Sequence, residues 1–232
     1  MNDIVAHCLF ERSGTFKNEF IKLGIKAFDY DLLNDFNCVD FQIDLFKEID
    51  NAFWFNQTIF DNMKPNDIII AFFPCTRFED QSTMLLNGNH NGIDQWSNIS
   101  KLNYALSVHQ ELHDNYDKFT KLCIIALRKN LKLVIENPYS KQHYLCRYFP
   151  IKSTIIDRDR SKNGDDFFKP TQYWFINWNP YYNVYDLVSY LPKHRLNVSQ
   201  IPSQSRSFIQ SEYAARFIKS YLLPGDYVND NT

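Results

Sequence analysis

The run Ile68-Ile-Ile-Ala-Phe-Phe73 most constrains the fold. Six consecutive β-branched, small or aromatic residues with no polar alternation suit a strand buried on both faces, and such strands belong to the middle of parallel sheets. The segments around it fit the same scheme. Apolar DIVAHCLF is followed by a turn at Ser13-Gly14, a helical stretch TFKNEFIKLG that closes at Gly24, and strand-like IKAFDYDL, which together make a βαβ unit. VDFQIDLF reads as a further short strand, and EIDNAFWFNQTIFDNM as a helical stretch burying Phe53 and Phe60. Helical periodicity returns from Ile99 to Asn130, and Leu131 to Ile135 reads as a buried strand that stops at Glu136-Asn137-Pro138. A strand pair, KSTIIDR and TQYWFINW, and a closing helix, SEYAARFIKSYLL, complete the pattern. The expected fold class is therefore α/β, Rossmann-like, with a doubly wound and mostly parallel sheet.

Residues 77–98 carry Asn and Gly turn signals and are expected to form a long loop over the C-terminal end of Ile68–Phe73, where a lid would sit. No repeat, low-complexity tract or Pro/Ser-rich linker divides the chain, so a single domain over 1–232 is expected. The first ten residues lack the basic start and apolar core of a secretion signal, and no stretch reaches the roughly 18 apolar residues of a membrane span. A soluble, cytoplasmic protein is expected. Five scattered cysteines without a CxxC pair indicate neither a disulfide framework nor zinc. His109 and His113 share a helix face at i, i+4, but Gln110 stands where a zinc metalloprotease needs glutamate, so no metal is expected.

A net charge of −2 gives weak support to a protein that grips long duplexes through phosphate contacts alone, so any nucleic-acid surface is expected to be local. Aromatic residues crowd YWFINWNPYYNVYDLVSYL; most belong to a core, and one or two could stack on bases.

In a doubly wound sheet, ligands bind beyond the C-terminal strand ends, which places Gly14, Asp31, Asp44, Cys75 and Glu136 on one rim. Gly14 in FERSGTF lies between strand and helix, where a tight turn lets a ligand approach the backbone, although a purely structural turn is equally served. An acid at Asp31 can accept hydrogen bonds from both ribose hydroxyls, or it can cap a turn. Asp44 can accept from an adenine amino group. Cys75, after Pro74 at a strand end, is placed for exposure and thiolate formation, whereas an inert buried cysteine is the commoner outcome for this residue type. Glu136, held at a strand end and desolvated, could carry a proton to a base ring, or could cap a turn.

Taken together, the FERSG turn, the acids Asp31 and Asp44 after the next two strands, Pro74-Cys75 and Glu136-Asn137 resemble the DNA cytosine-5 methyltransferases over roughly residues 4–140, and LFERSG, DYDLLN, FPCT, VIENP and KPTQYWF resemble more closely the short cytosine methyltransferase-like proteins of bacteriophages and bacteria. The resemblance implies a class I methyltransferase fold and S-adenosylmethionine as cofactor, with Phe10, Gly14, Asp31, Asp44 and Pro74 holding it. It implies Cys75 as the nucleophile that attacks carbon 6 of a flipped-out cytosine, Glu136 as the group at N3, and Asn137 as the residue ordering the loop. Asn137, Pro138, Arg158, Arg160, Lys169 and Thr171 would meet the substrate, with Arg158-Asp159-Arg160 standing in for an absent QxRxR; Arg206 and Ser207 match the family's closing segment loosely. The chain departs from the pattern at Arg12 in the glycine-rich turn and at Phe73 in place of a second proline. It also lacks room for a target-recognition domain. DNA is the implied partner, with recognition left to another protein or a second copy; a free nucleotide or RNA substrate, and a non-catalytic binding protein on a relic fold, remain alternatives.

Overall fold

The computed structural model describes residues 4–78, 92–183, 196–197 and 208–225. Its centre is a seven-stranded mixed sheet, mostly parallel and flanked by helices. Strands β1 (Val5–Leu9), β2 (Lys26–Asp31), β3 (Phe41–Gln42), β4 (Ile68–Phe72), β5 (Lys132–Pro138), β6 (Ile155–Asp157) and β8 (Thr171–Ile176) stand in the order β3-β2-β1-β4-β5-β8-β6. The first five run parallel, while β8 is antiparallel to both β5 and β6. Two-residue strands β7 (Phe167–Phe168) and β9 (Leu196–Asn197) pair separately. The strand order reverses between β1 and β4, and the chain ends leaving these two strands diverge to opposite sides of a crevice.

Each face of the sheet buries its own apolar layer. On one face, α2 (Leu45–Phe53) and the 31-residue α3 (Asn98–Arg128) pack Ile49, Phe119, Leu122 and Ile125 against Ile69, Leu133, Ile135 and Trp174. On the other, α1 (Thr15–Lys22) and α5 (Ser211–Phe217) pack Phe16, Phe20, Tyr213 and Phe217 against Cys8, Ile70, Val134 and Tyr173. Alternate residues of β5 thus feed opposite layers, as the two-residue side-chain period of a strand requires. A short helix α4 (Tyr144–Tyr148) follows β5, and α5 continues into a π-helical turn over Ile218–Leu222. No helix among the described residues is long and apolar enough to cross a membrane.

Several sequence expectations shift: the helical stretch read through EIDNAFWFNQTIFDNM ends at Phe53, which is only half-buried, and a separate 3-10 turn at Ile59–Asp61 buries Phe60. The strand expected through VDFQIDLF shrinks to Phe41–Gln42, because Asp44 caps α2 and turns the chain out of the sheet. Strand β5 does not stop at Ile135; antiparallel pairing of Glu136 with Tyr173, Asn137 with Gln172 and Pro138 with Thr171 carries it three residues further. Within the expected loop 77–98, residues 93–95 form a 3-10 turn and Asn98 already begins α3, while residues 79–91, which carry most of the lid expectation, lie outside the described residues. Arg206 and Ser207 lie outside them as well. Of the aromatic segment, Tyr173 and Trp174 are core, whereas Tyr181 and Tyr182 are exposed.

A buried charge joins the last strands to the closing helix. Arg160 is wholly buried and pairs with the equally buried Asp165 through Nε and Nη2, while Nη2 also donates to the carbonyl of Phe208. Asp165 in turn accepts from the Phe167 amide at 3.1 Å. Loss of one partner from such a pair strands the other charge in the core. Asp165→Asn should therefore lower unfolding stability by about 3–5 kcal/mol in urea denaturation, and Arg160→Met with Asp165→Leu by much less; equal losses would show that the charge itself is not what Asp165 compensates.

Candidate functional site

The strand ends enclose a cavity of about 520 Å³ at the reversal of strand order. Its wall begins with Phe10, whose φ of 59° is strained for an aromatic residue. The Phe10 amide donates to the Tyr30 carbonyl at 2.8 Å, and its ring packs edge-on against Phe46 and Phe73. This turn folds the next residue back on the helix that follows. Glu11 Oε1 accepts from the Phe16 amide at 2.6 Å and Oε2 from the Lys17 amide at 3.1 Å, satisfying two donors at the start of α1.

Glu11 lines the cavity while almost fully buried. Desolvation pushes its carboxyl up to about 7, against the two backbone N–H bonds that pull it down. Sequence reasoning assigned it no role. The available signal was an acid placed just before a helix start, where carboxylates cap the first turn.

Gly14 does not line the cavity. It takes φ +65° as the residue preceding α1, and a Cβ there would lie 3.4 Å from Asp29 Oδ2. That carboxylate belongs to a cluster in which Lys17 Nζ meets Asp29 at 2.8 Å and Asp40 at 3.3 Å. Gly14 therefore shapes the turn over a charged cluster, between Ser13 and Thr15, which do line the cavity. Arg12, which stands in the glycine-rich turn, is accommodated by reaching Asp35 at 3.0 Å and lying over the Phe208 ring.

Asp31 and Asp44 both border the cavity. Asp31 Oδ1 accepts from the Leu33 amide at 2.8 Å, and burial raises its pKa above the usual carboxylate value. Asp44 caps α2 through Lys47 N at 3.3 Å and pairs with Lys47 Nζ. Asp31 thus closes the turn open to it from sequence, Asp44 takes a capping role the sequence reading did not assign, and both border the crevice.

Pro74 and Cys75 continue β4 into the cavity wall, with Cys75 half-buried. The turn is fixed from three sides. The Phe78 amide donates to the Cys75 carbonyl at 2.9 Å, Asn115 Nδ2 donates to the Thr76 carbonyl at 2.6 Å, and Asn137 Nδ2 donates to the Phe73 carbonyl at 2.7 Å. The turn is thus tied to α3 as well as to β5. Glu136, largely buried inside β5, lines the same cavity, as do Pro138 and Lys169.

Four residues expected at the substrate are placed elsewhere. Asn137 is wholly buried, and its amide ties β5 to the Pro-Cys turn. Thr171 is wholly buried and bonds to the Lys169 carbonyl at 3.1 Å. Arg160 is consumed by Asp165 in the core, and Arg158 is exposed with its guanidinium over Tyr139, beside a second cavity. His109 and His113 lie on the exposed side of α3. Compared with known proteins, the chain matches no family model and no curated sequence.

The raised Glu11 pKa has a definite sign in stability. Between its ordinary 4.5 and about 7, the folded chain binds more protons at Glu11 than the unfolded chain, so this residue makes stability fall as pH rises through that window. Urea midpoints measured across it should decline relative to those of Glu11→Gln, which cannot titrate; parallel profiles for the two proteins would refute the assignment.

Proposed function

We propose that the chain transfers a methyl group from S-adenosylmethionine to carbon 5 of a pyrimidine, cytosine in DNA, through a covalent adduct on Cys75. The observation that carries the reading is that one cavity is lined by Cys75, Glu136, Asp31 and Asp44, residues contributed by four different strand ends. The seven-stranded sheet with β8 antiparallel beside the edge supports the finer assignment to the class I methyltransferase fold.

The residues present fit a nucleoside cofactor. The cavity is of small-molecule size, its apolar wall includes Phe10, Leu32, Leu45 and Phe46, and among its polar groups the acids Asp31 and Asp44 stand after β2 and β3, with Arg12 and Lys169 also on the lining. Asp31 would hold the ribose hydroxyls, Asp44 the adenine amino group, and Phe10 and Pro74 the apolar edges. When bound, the cofactor supplies an electrophilic methyl group.

The chain's own residues account for the rest. Cys75 as thiolate forms a bond to carbon 6 of the base, which moves electron density to carbon 5 and N3. Glu136, largely buried in the cavity wall, would meet N3 and favour the charge that develops there. Loss of the carbon-5 proton to water supplies the electron pair that reforms the ring double bond as the sulfur–carbon bond breaks and Cys75 leaves as the thiolate. Asn137 acts from behind by holding the Phe73 carbonyl, and so fixes where Cys75 leaves β4. A base reaches Cys75 only out of its stack, so the substrate is flipped or single-stranded. Choice of target falls to a partner or a second copy of the chain, and the reaction is assigned to the cytoplasm, where thiols stay reduced.

A non-catalytic binding role has one specific observation in its favour: Arg12 occupies the glycine-rich turn and also lines the cavity. Two measurements separate the readings. By calorimetry, Asp31→Ala should weaken S-adenosylhomocysteine binding by about 1–3 kcal/mol, the cost of stranding hydrogen-bonding groups; unchanged affinity removes the ribose role. With methyl donor present, DNA carrying 5-fluorocytosine should become joined to the protein in a linkage that survives denaturation. Cys75→Ser should abolish the adduct and Glu136→Gln slow it by about 10²–10⁴-fold. Cofactor binding without adduct on DNA, RNA or nucleotide would decide for the binding role.

A further inference from the structure

A second cavity, of about 450 Å³, lies between edge strand β6 and helix α5, outside the site described above. Arg158, Lys162 and Arg216 border it, and none of the three forms an ion pair among the described residues. The two acids of the cavity are differently placed. Asp157 accepts from Tyr213 Oη at 3.0 Å, Asn163 Nδ2 at 2.9 Å and the Asp159 amide at 3.0 Å, so its oxygens are turned to the protein. Asp159 accepts from the amide and hydroxyl of Ser161. Both carboxylates are thus supplied with donors by the chain, while Lys162 and Arg216 meet no carboxylate among the described residues and Arg158 lies over the Tyr139 ring.

Asn163 and Ser220 add polar groups to the lining, while Ile155 and the rings of Phe217 and Tyr221 supply an apolar part, with Phe217 itself fixed between Tyr213 and Tyr221. Three cations against two carboxylates that already accept from the chain leave the lining net positive, which favours an anion; arginine favours the planar, multidentate oxygens of phosphate, and aromatic rings favour a ring attached to it. We propose that this cavity is a second ligand site, which takes a nucleotide phosphate with its base against the aromatic wall. The site does not depend on methyl transfer at Cys75. The same chemistry has two sources, a free nucleotide or one unit of a polynucleotide strand.

Amide spectra of the full-length, isotopically labelled chain locate the ligand directly. Titration with deoxycytidine monophosphate, in the presence of S-adenosylhomocysteine, should shift residues 155–163 and 213–221. Deoxycytidine, which lacks the phosphate, should shift them far less. Lys162→Gln and Arg216→Gln should each weaken the nucleotide about tenfold, the loss expected for one charge-assisted contact. Lys162 is exposed, so its replacement leaves the fold intact and keeps the test decisive. A short single-stranded oligonucleotide that displaces the nucleotide from these residues assigns the site to a strand, and one that does not assigns it to the free nucleotide.

The proposal is overturned if millimolar nucleotide leaves these amides unmoved, if shifts appear only around the Cys75 cavity, or if both variants bind as the parent does. Failure of S-adenosylhomocysteine to bind would instead count against the methyltransferase reading, and would leave the second site standing on its own amides.

Discussion

Parallel pairing of β1, β4 and β5 is the constraint on which the rest of the molecule depends. Cys8, Ile70 and Val134 stand side by side across the three strands and are wholly buried, so the register admits no slip without turning apolar residues into the wrong layer. Because the strands run in one direction, their C-terminal ends arrive together. Because the strand order reverses beside β1, the loops leaving β1 and β4 part and open the crevice between them. The position of Phe10 next to Phe73, and of Cys75 near Glu136, follows from that pairing before any side chain of the site makes a specific contact.

Specific contacts then refine what the sheet has brought close. The Pro-Cys turn would be an ordinary mobile connection if its carbonyls faced water, but two of them are taken by buried asparagine amides, Asn137 and Asn115. One tie comes from the neighbouring strand and the other from α3, so the turn is referenced both to the sheet and to the layer above it. At the opposite wall Glu11 does the corresponding work for the first loop, holding the start of α1 while Phe10 absorbs the backbone strain. Desolvated groups with fixed partners on both walls are what a site needs if a ligand is to be held without reorganising the protein.

The strands of the centre and the long helix were legible because burial on both faces and a sustained helical period leave a mark in local sequence. Cys75, Glu136, Asp31 and Asp44 were legible as a group for a related reason, since a strand's end is readable and a parallel sheet gathers its ends. What was not legible depends on partners far along the chain. The extension of β5 through Pro138 comes from pairing with β8, more than thirty residues later. Gly14 carried a readable turn, but the cluster of Lys17, Asp29 and Asp40 beneath it appears only when β2 and the approach to β3 are laid beside α1.

The segment Arg158-Asp159-Arg160 shows the same limit at the level of single charges. Three consecutive charged residues at a strand end read as one polar, substrate-facing group, yet the fold sends them to three environments. Arg158 points outward to the edge cavity, Asp159 closes a turn on Ser161, and Arg160 enters the core. The last of these is decided by Asp165, since a guanidinium can be buried only where a carboxylate and a carbonyl receive it. Its carbonyl partner is that of Phe208, which lines the Cys75 cavity. Arg160 therefore still acts on the candidate site, by bracing the wall that a ligand would touch instead of touching the ligand. A pattern of residue types can place a charge at a strand end; the direction in which it turns is settled by which distant groups are there to meet it.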